Sequence, residues 1–174
     1  MNRKMSDSVY GTHICPLLTA VLHTKGDVLE MGTGDFSTPL LHSLCLQQKR
    51  NLHSTDTDKE WLKLFLDLQS PTHTFQFVPV YESVIPNHHC WDSVGNQKWG
   101  VVFIDHRPGE RRAVDIVRFR NDAEIIVVHD TETPSYGYEQ AFQYFKYRYD
   151  YKRYSVWTTL VSNTVDVQRL FETP

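Results

Sequence analysis

A short glycine-containing segment follows the first buried-looking run of the chain. It reads Glu30-Met-Gly-Thr-Gly34 and continues through Ser37 to Thr38. Glycines let a backbone approach a ligand closely, and a helix that begins directly after them presents free N–H groups. A dinucleotide-binding turn would carry a third glycine where Ser37 stands. The carboxylate of Glu30 would repel a phosphate, but it suits a ligand with an ammonium or sulfonium group and free hydroxyls.

Acidic or imidazole side chains also follow three later apolar runs. These groups are Asp56, Asp105, His106, His129 and Asp130. A carboxylate can accept strong hydrogen bonds from a ribose diol, and a carboxylate or an imidazole can accept a proton during catalysis. If the runs are parallel strands, their carboxyl ends meet at one edge of a sheet. The sequence therefore predicts that the chemistry lies at that edge.

Strands and helices alternate along the chain. Apolar runs predict strands at 27–30, 51–55, 74–80, 101–104, 125–128 and 154–161. Apolar residues at helical spacing predict helices at 13–22, 38–44, 58–68, 109–119 and 138–145. Residues 82–98 are predicted to form a loop or a short broken helix. This alternation predicts a doubly wound parallel sheet with right-handed crossovers.

Local signals mark two helix starts and one sheet edge. Thr38 is placed to cap the second helix, ahead of Pro39 at the first helical position. Thr57 and Glu60 have the spacing of a capping box before the third helix. Pro79 cannot donate to a strand ladder, which predicts that the third strand lies at an edge of the sheet.

Composition bounds the class of protein. The chain has 174 residues with 18 Lys+Arg against 21 Asp+Glu, a formal charge of −3. That length predicts a single domain over 1–174, and the charge balance makes nucleic acid an unlikely partner. No apolar run approaches the roughly 20 residues that span a bilayer, so no membrane partner is expected. The three cysteines, Cys15, Cys45 and Cys90, are odd in number and widely spaced, which favours free thiols and a cytoplasmic location.

The glycine segment resembles motif I of class I S-adenosylmethionine (SAM) dependent methyltransferases. Asp56 stands where that family places an acidic residue on the ribose hydroxyls, and the run ending in Asp105 is similar to the family's motif after the fourth strand. The resemblance implies an α/β fold, namely a doubly wound, mostly parallel Rossmann-like sheet of about six to seven strands with helices on both faces. It also implies SAM as the cofactor. The implied cofactor-binding residues are Glu30, Gly32, Thr33, Gly34, Thr38, Asp56, Thr57, Glu82 and Asp105.

The stretch ending in Asp105-His106 is also similar to catechol O-methyltransferase and its metal-dependent relatives. By position in that group, Asp105 and Asp130 would hold Mg²⁺. Thr131 stands where those enzymes have an asparagine ligand, and Pro108 stands where they have a catalytic lysine. We therefore assign no metal ligand. The predicted catalytic residues are Asp105, His106 and Asp130, with His106 or Asp130 as the proton acceptor.

The resemblance implies methyl transfer, but the sequence does not identify the acceptor, and small molecules, a sugar hydroxyl and a protein side chain all remain open. We expect a hydroxyl-bearing small molecule or a sugar. A non-catalytic SAM-binding or nucleotide-binding protein is an alternative. An NAD-dependent oxidoreductase is a further alternative, which Ser37 disfavours. Arg107, Arg111 and Arg112 follow the fourth predicted strand and allow two interpretations: a clamp for an acidic or phosphorylated acceptor, or an exposed helix start paired with acidic neighbours.

Tyrosine is concentrated near the carboxyl terminus, with seven of nine between Tyr136 and Tyr154. Tyr136 and Tyr138 follow the fifth predicted strand and are expected beside the acceptor or the sulfonium. The tyrosines within 147–151 alternate with charged residues, so an extended segment places all three rings on one face. Basic and aromatic interleaving fits nucleic-acid stacking. The overall negative charge favours instead a sheet-edge contact or a homo-oligomer contact.

Overall fold

A computed structural model describes residues 11–79, 89–95 and 97–172. Its strands are β1 (Val28–Met31), β2 (Leu52–Asp56), β3 (His73–Phe77), β4 (Trp99–Ile104), β5 (Ala123–His129), β6 (Tyr147–Tyr151) and β7 (Thr158–Ser162). They form one seven-stranded sheet in the order β3-β2-β1-β4-β5-β7-β6. The first five are parallel, whereas β7 runs antiparallel to both β5 and β6. The predicted fold class is confirmed.

Helices cover both faces of the sheet. They are α1 (Ile14–Leu22), α2 (Ser37–Gln48), α3 (Lys59–Lys63), α4 (Gly109–Arg118) and α5 (Tyr138–Phe142). Successive side chains of a strand point to opposite faces, so β4 contributes to two apolar cores. Val101 and Phe103 pack with the buried residues of α1 and α2. Val102 and Ile104 pack with those of α4 and α5.

Several predicted boundaries are wrong. The predicted helix at 58–68 is divided into α3 and a 3-10 turn over Leu66–Leu68. The predicted strand at 154–161 begins only at Thr158, as β7, and β6 is an additional strand that pairs with it and extends the sheet. The segment 82–98, by contrast, is predicted as a loop or a short broken helix, and the 3-10 turn over His89–Ser93 agrees with that; its remaining part includes residues outside the described ranges.

The two expected helix caps are also replaced. The second helix begins at Ser37 with Phe36 as its N-cap, so Thr38 lies inside the helix. At the start of α3, the carboxylate of Asp58 accepts hydrogen bonds from the backbone N–H groups of Glu60 and Trp61. The aspartate adjacent to Thr57 therefore serves as the cap, because its short carboxylate reaches both free donors.

The open sheet has one edge strand on each side. The strand that ends before Pro79, β3, lies at one edge as predicted, and β6 lies at the other. The Tyr149 ring on β6 stacks on Phe171 at 4.3 Å, and the Tyr151 ring lies 6.0 Å from the same ring. These tyrosines therefore pack at the sheet edge against Phe171 of the same chain. No helix in the part of the chain that the structure describes is both long and apolar enough to cross a bilayer.

Gly32 sets how closely the end of β1 approaches the end of β4. Its φ is +97°, and a Cβ built on it would lie 2.5 Å from the carbonyl oxygen of Asp105. The backbone N–H of Asp105 donates to the carbonyl of Met31 at 2.8 Å, which fixes that approach. Glycine is required here both by the left-handed conformation and by the rigid backbone facing it.

Replacement of Gly32 by alanine is expected to lower the free energy of unfolding by at least about 2 kcal/mol. The added methyl group meets backbone atoms that cannot move independently of β4. Gly34→Ala is the matched control, since its built Cβ meets only the Ser37 hydroxyl, at 3.1 Å. Urea denaturation of the three proteins measures the difference. Equal losses for the two variants would contradict the close-approach argument.

Candidate active site

A cavity of about 510 Å³ lies at the carboxyl ends of the parallel strands, where the strand order reverses between β1 and β4. Eight of the residues predicted from the sequence line it: Gly32, Thr33, Gly34, Asp56, Thr57, Asp105, His106 and Asp130. Glu30 and Thr38 are fully buried and lie outside its lining. Glu82 falls outside the described residues.

Glu30 supports the glycine turn from behind. Its Oε1 accepts a hydrogen bond from the Thr38 hydroxyl at 2.9 Å, and its Oε2 accepts one from the Ser54 hydroxyl at 2.6 Å. The Thr38 hydroxyl in turn accepts from the backbone N–H of Gly34 at 2.9 Å. The sequence predicted direct cofactor contacts for Glu30 and Thr38. The structure instead gives them an indirect role, because neither side chain has surface to offer a ligand.

Burial raises the pKa of Glu30 to about 7, although hydroxyl groups of Ser37, Ser54 and Thr38 favour the ionised form. The charge of nearby Asp56 adds to the upward shift. Since the pKa in the folded state exceeds the ordinary value of 4.5, the folded protein binds the proton more tightly than the unfolded chain. This contribution to stability is fully present below the unfolded pKa and is lost as pH rises through about 7.

We expect Glu30→Gln to remove that pH dependence. Between pH 5 and pH 8 the wild type should lose about 2.5 kcal/mol of unfolding free energy relative to the variant, because each pKa unit corresponds to about 1.4 kcal/mol and part of the shift from 4.5 lies below this range. Chemical denaturation across this range is the measurement. Glu60→Gln, at an exposed residue of α3, serves as the control and should follow the wild type. Parallel stability curves for wild type and Glu30→Gln would refute the assignment.

Asp56 connects the end of β2 to the same turn. Its Oδ2 accepts from the backbone N–H of Thr33 at 2.7 Å and from the Thr33 hydroxyl at 2.8 Å. Its Oδ1 accepts from the backbone N–H of Asp58 at 2.9 Å. The residue is 9% exposed and lines the cavity. Each carboxylate oxygen has more than one acceptor site, so Asp56 can hold the turn and still accept from a diol.

Arg112 lies between two strand-end carboxylates. Its Nη2 is 2.9 Å from Asp105 Oδ1, and its Nη1 is 3.0 Å from Asp130 Oδ2. Its Nε donates to the carbonyl oxygen of His106 at 2.6 Å. The guanidinium thus occupies the position between Asp105 and Asp130 where the catechol-type resemblance implied a cation. The Thr131 hydroxyl accepts from Thr159 at 2.9 Å.

The three arginines that follow β4 differ in their exposure to solvent. Arg111 and Arg112 are buried, so the expectation of an exposed helix start is wrong for both. Arg111 binds Asp115 at 2.9 Å and Asp92 at 2.6 Å. Arg107 is exposed and lies at the cavity.

His129 and His13 adjoin Asp105 on the other side. His129 Nδ1 lies 3.2 Å from Asp105 Oδ2, and His129 Nε2 lies 3.1 Å from the Thr12 hydroxyl. Burial disfavours a charged His129, but the hydrogen bond and charge of Asp105 outweigh it and raise the pKa of His129. Burial lowers the pKa of His13 to about 3, and the neighbouring His129 adds to this shift. The sequence prediction missed His13, because it precedes a helix and belongs to no strand end.

The Asp105 carboxyl stays ionised beside His129, His13 and Arg112. Burial favours its neutral form, but the hydrogen bond from His129 and the charge of Arg112 outweigh burial and lower the pKa of Asp105. The carboxylate is therefore ionised at neutral pH. It shares one oxygen with the arginine and the other with the imidazole.

His106 is directed into the core. Its side chain has no exposed surface, its ring lies 4.1 Å from the Trp91 ring, and its Nε2 is 3.1 Å from Asp115 Oδ2. Burial lowers the pKa of His106 despite the adjacent Asp115 carboxylate. Although His106 lines the cavity, its side chain has no exposed surface there, so the imidazole cannot reach an acceptor as the sequence predicted. Asp130 has that access and remains the predicted acceptor.

Comparison with known proteins relates this architecture to methyltransferases. No family model and no curated protein matches the sequence. The structure is similar to the MTase domain of METTL16, with a TM-score of 0.62 at 13% identity, covering 93% of this chain and 71% of that one. It is similar to human methyltransferase 10 domain containing protein, with a TM-score of 0.57 at 12% identity, covering 92% and 85%. It is also similar to the 23S rRNA methyltransferase ErmE, with a TM-score of 0.50 at 16% identity, covering 96% of this chain and 75% of that one.

These similarities show the fold of class I SAM-dependent methyltransferases. The likeness of the fourth-strand motif to catechol O-methyltransferase stays a prediction. The expectation of a small-molecule or sugar acceptor, with nucleic acid an unlikely partner, is wrong in the light of the similarity to an rRNA methyltransferase. The exclusion of nucleic acid was drawn from net charge, which averages over the whole surface and does not describe the rim of one cavity.

Proposed function

We propose that the chain binds SAM in the strand-end cavity and transfers its methyl group to RNA. The observation that carries the first part is the meeting of three features around one cavity at the reversal of strand order: the glycine turn, Asp56 and Asp105. Open α/β sheets bind ligands at this place. The second part is supported by the similarity to a 23S rRNA methyltransferase.

The residues present fit SAM. Asp56 offers carboxylate oxygens to a ribose diol, and the glycine turn brings backbone close to the ligand. Trp61 lines the cavity beside the turn, and its indole N–H donates to the carbonyl of Thr33 at 2.8 Å. The ring thereby presents a fixed flat surface. Ser37 occupies the third glycine position of a dinucleotide turn and is buried, which disfavours the NAD alternative.

SAM, when bound, supplies an electrophilic methyl group. The protein's part in such a displacement is to align the acceptor and exclude water. Arg112 keeps Asp105 and Asp130 in fixed positions at the cavity, and Asp130 is available to accept a proton from the acceptor.

The rim of the cavity suits a nucleobase. Phe36 and Tyr136 line it, and a base drawn out of a strand needs such flat partners on which to stack. Arg107 is exposed at the same rim and can contact a phosphate. This local combination supports RNA even though the chain carries a net charge of −3.

Calorimetry should show SAM or its demethylated product binding with micromolar affinity. Asp56→Asn should weaken that binding by at least about tenfold, because a charge-assisted hydrogen bond contributes about 1.5–3 kcal/mol. Asp67→Asn removes the same charge at an exposed position outside the cavity and should leave the affinity unchanged. Absence of binding to the folded wild type would refute the proposed function.

Radiolabelled SAM should transfer methyl groups to total cellular RNA, and ribonuclease treatment should abolish the incorporated label. Arg107→Ala should weaken RNA binding at low salt. It should also reduce the slope of the logarithm of the binding constant against the logarithm of the salt concentration by about one, the amount expected for one lost phosphate contact. Lys63→Ala, at an exposed cation outside the cavity lining, is the control. Binding of SAM without transfer to RNA would favour the non-catalytic alternative over the acceptor proposed here.

A further inference from the structure

Three potential metal ligands meet at the cavity. His13 stands at the N-cap of α1, Asp105 follows β4, and His129 is the last residue of β5. One ligand atom from each lies within 4.8 Å of the others. All three residues line the cavity.

His13 supplies a second and independent observation. It is 3% exposed, and neither of its ring nitrogens has a hydrogen-bond partner among the residues that the structure describes. Its ring packs against Phe103 at 4.9 Å and meets the His129 ring edge-on at 4.7 Å. An imidazole buried without any partner loses the hydrogen bonds that water would have provided. A ligand bound at the cavity would compensate for that loss.

We propose that His13, Asp105 and His129 bind a divalent transition-metal ion. Two imidazoles and one carboxylate suit zinc, iron or cobalt, whereas Mg²⁺ prefers oxygen ligands. The site therefore differs in position and chemistry from the Asp105–Asp130 pair that the catechol-type resemblance implied.

The surroundings of two ligands resemble those of known metal sites. Arg112 binds Asp105 Oδ1 at 2.9 Å, which leaves Oδ2 directed toward His129. The Thr12 hydroxyl pairs with His129 Nε2 at 3.1 Å, which leaves Nδ1 as the metal-binding nitrogen. Outer partners of this kind fix the tautomer and the orientation of a ligand. The ion takes the place of the proton shared between His129 Nδ1 and Asp105 Oδ2.

Three protein ligands leave coordination positions free, and the cavity lies beside them. A water or an acceptor group bound there would have a lowered pKa, as is general for ligands of such ions. Metal binding requires no SAM, so this inference is independent of the proposed function.

Titration of the tag-free, chelator-treated chain with Co²⁺ is the test. We expect one equivalent to bind, with visible absorption bands that Zn²⁺ abolishes and millimolar Mg²⁺ does not. Cys15, which is exposed and lies two residues after His13 in the sequence, is replaced by serine in every protein so that its thiolate contributes no ligand.

His13→Leu should lower the Co²⁺ affinity at least about 100-fold. Without metal this variant should be as stable as the parent or more stable, since it removes two buried unpaired nitrogens. Zn²⁺ should raise the Tm of the parent and leave that of His13→Leu unchanged. His23→Leu replaces an exposed histidine just after α1 and should bind Co²⁺ normally.

Unchanged Co²⁺ affinity in folded His13→Leu would overturn the proposal, as would binding of Mg²⁺ alone or of no metal. SAM calorimetry on the same proteins separates the two ideas. Metal binding without SAM binding would leave the site standing and remove the proposed function. SAM binding without metal binding would remove the metal site and leave the proposed function standing.

Discussion

The guanidinium of Arg112 is the contact on which the functional edge of the sheet depends. It forms ion pairs with Asp105 and Asp130, and it donates to backbone carbonyls at the ends of β4 and β5. Two carboxylates brought together in a partly buried site would repel each other and lose hydration, and a single planar cation with several donors offsets both costs. The orientation of the remaining carboxylate oxygens follows from that pairing. Asp105 Oδ2 thereby lies 3.2 Å from His129 Nδ1, and Asp130 Oδ1 lies 3.6 Å from the same nitrogen, while both residues line the cavity.

A second set of buried polar contacts prepares the other half of the cavity. Glu30 acts through Thr38 on Gly34, and Asp56 acts directly on Thr33. The turn is therefore bound at two successive residues before any ligand arrives. A preformed turn lowers the ordering cost of binding, because the backbone groups need not be fixed at that moment. Residues that a motif presents as ligands thus serve first to hold the backbone.

Particular residues show why some features were predictable and others were not. Asp56, Asp105 and His129 were placed correctly, because unbroken apolar runs identify parallel strands and parallel strands end together. Thr38 was taken for a cap, since the sequence does not reveal that the helix begins at Ser37 or that the Thr38 hydroxyl connects Glu30 to the backbone of Gly34. One of the two interpretations of Arg111 and Arg112 placed them at an exposed helix start; the pairing of Arg111 with Asp115 was foreseen, but charge alone does not show that the fold buries both arginines or pairs Arg112 with Asp105.

The sequence by itself determined the α/β alternation, the parallel sheet and the edge at which the polar groups gather. These features depend on local periodicity and on chain direction, and both can be recognised in short segments of sequence. Tertiary structure alone decided that the start of α1 packs beside the ends of β4 and β5, so that His13 meets Asp105 and His129. It also decided which charges are buried and which face the cavity. Such contacts join residues far apart in the chain, and their geometry depends on how whole helices pack on the sheet.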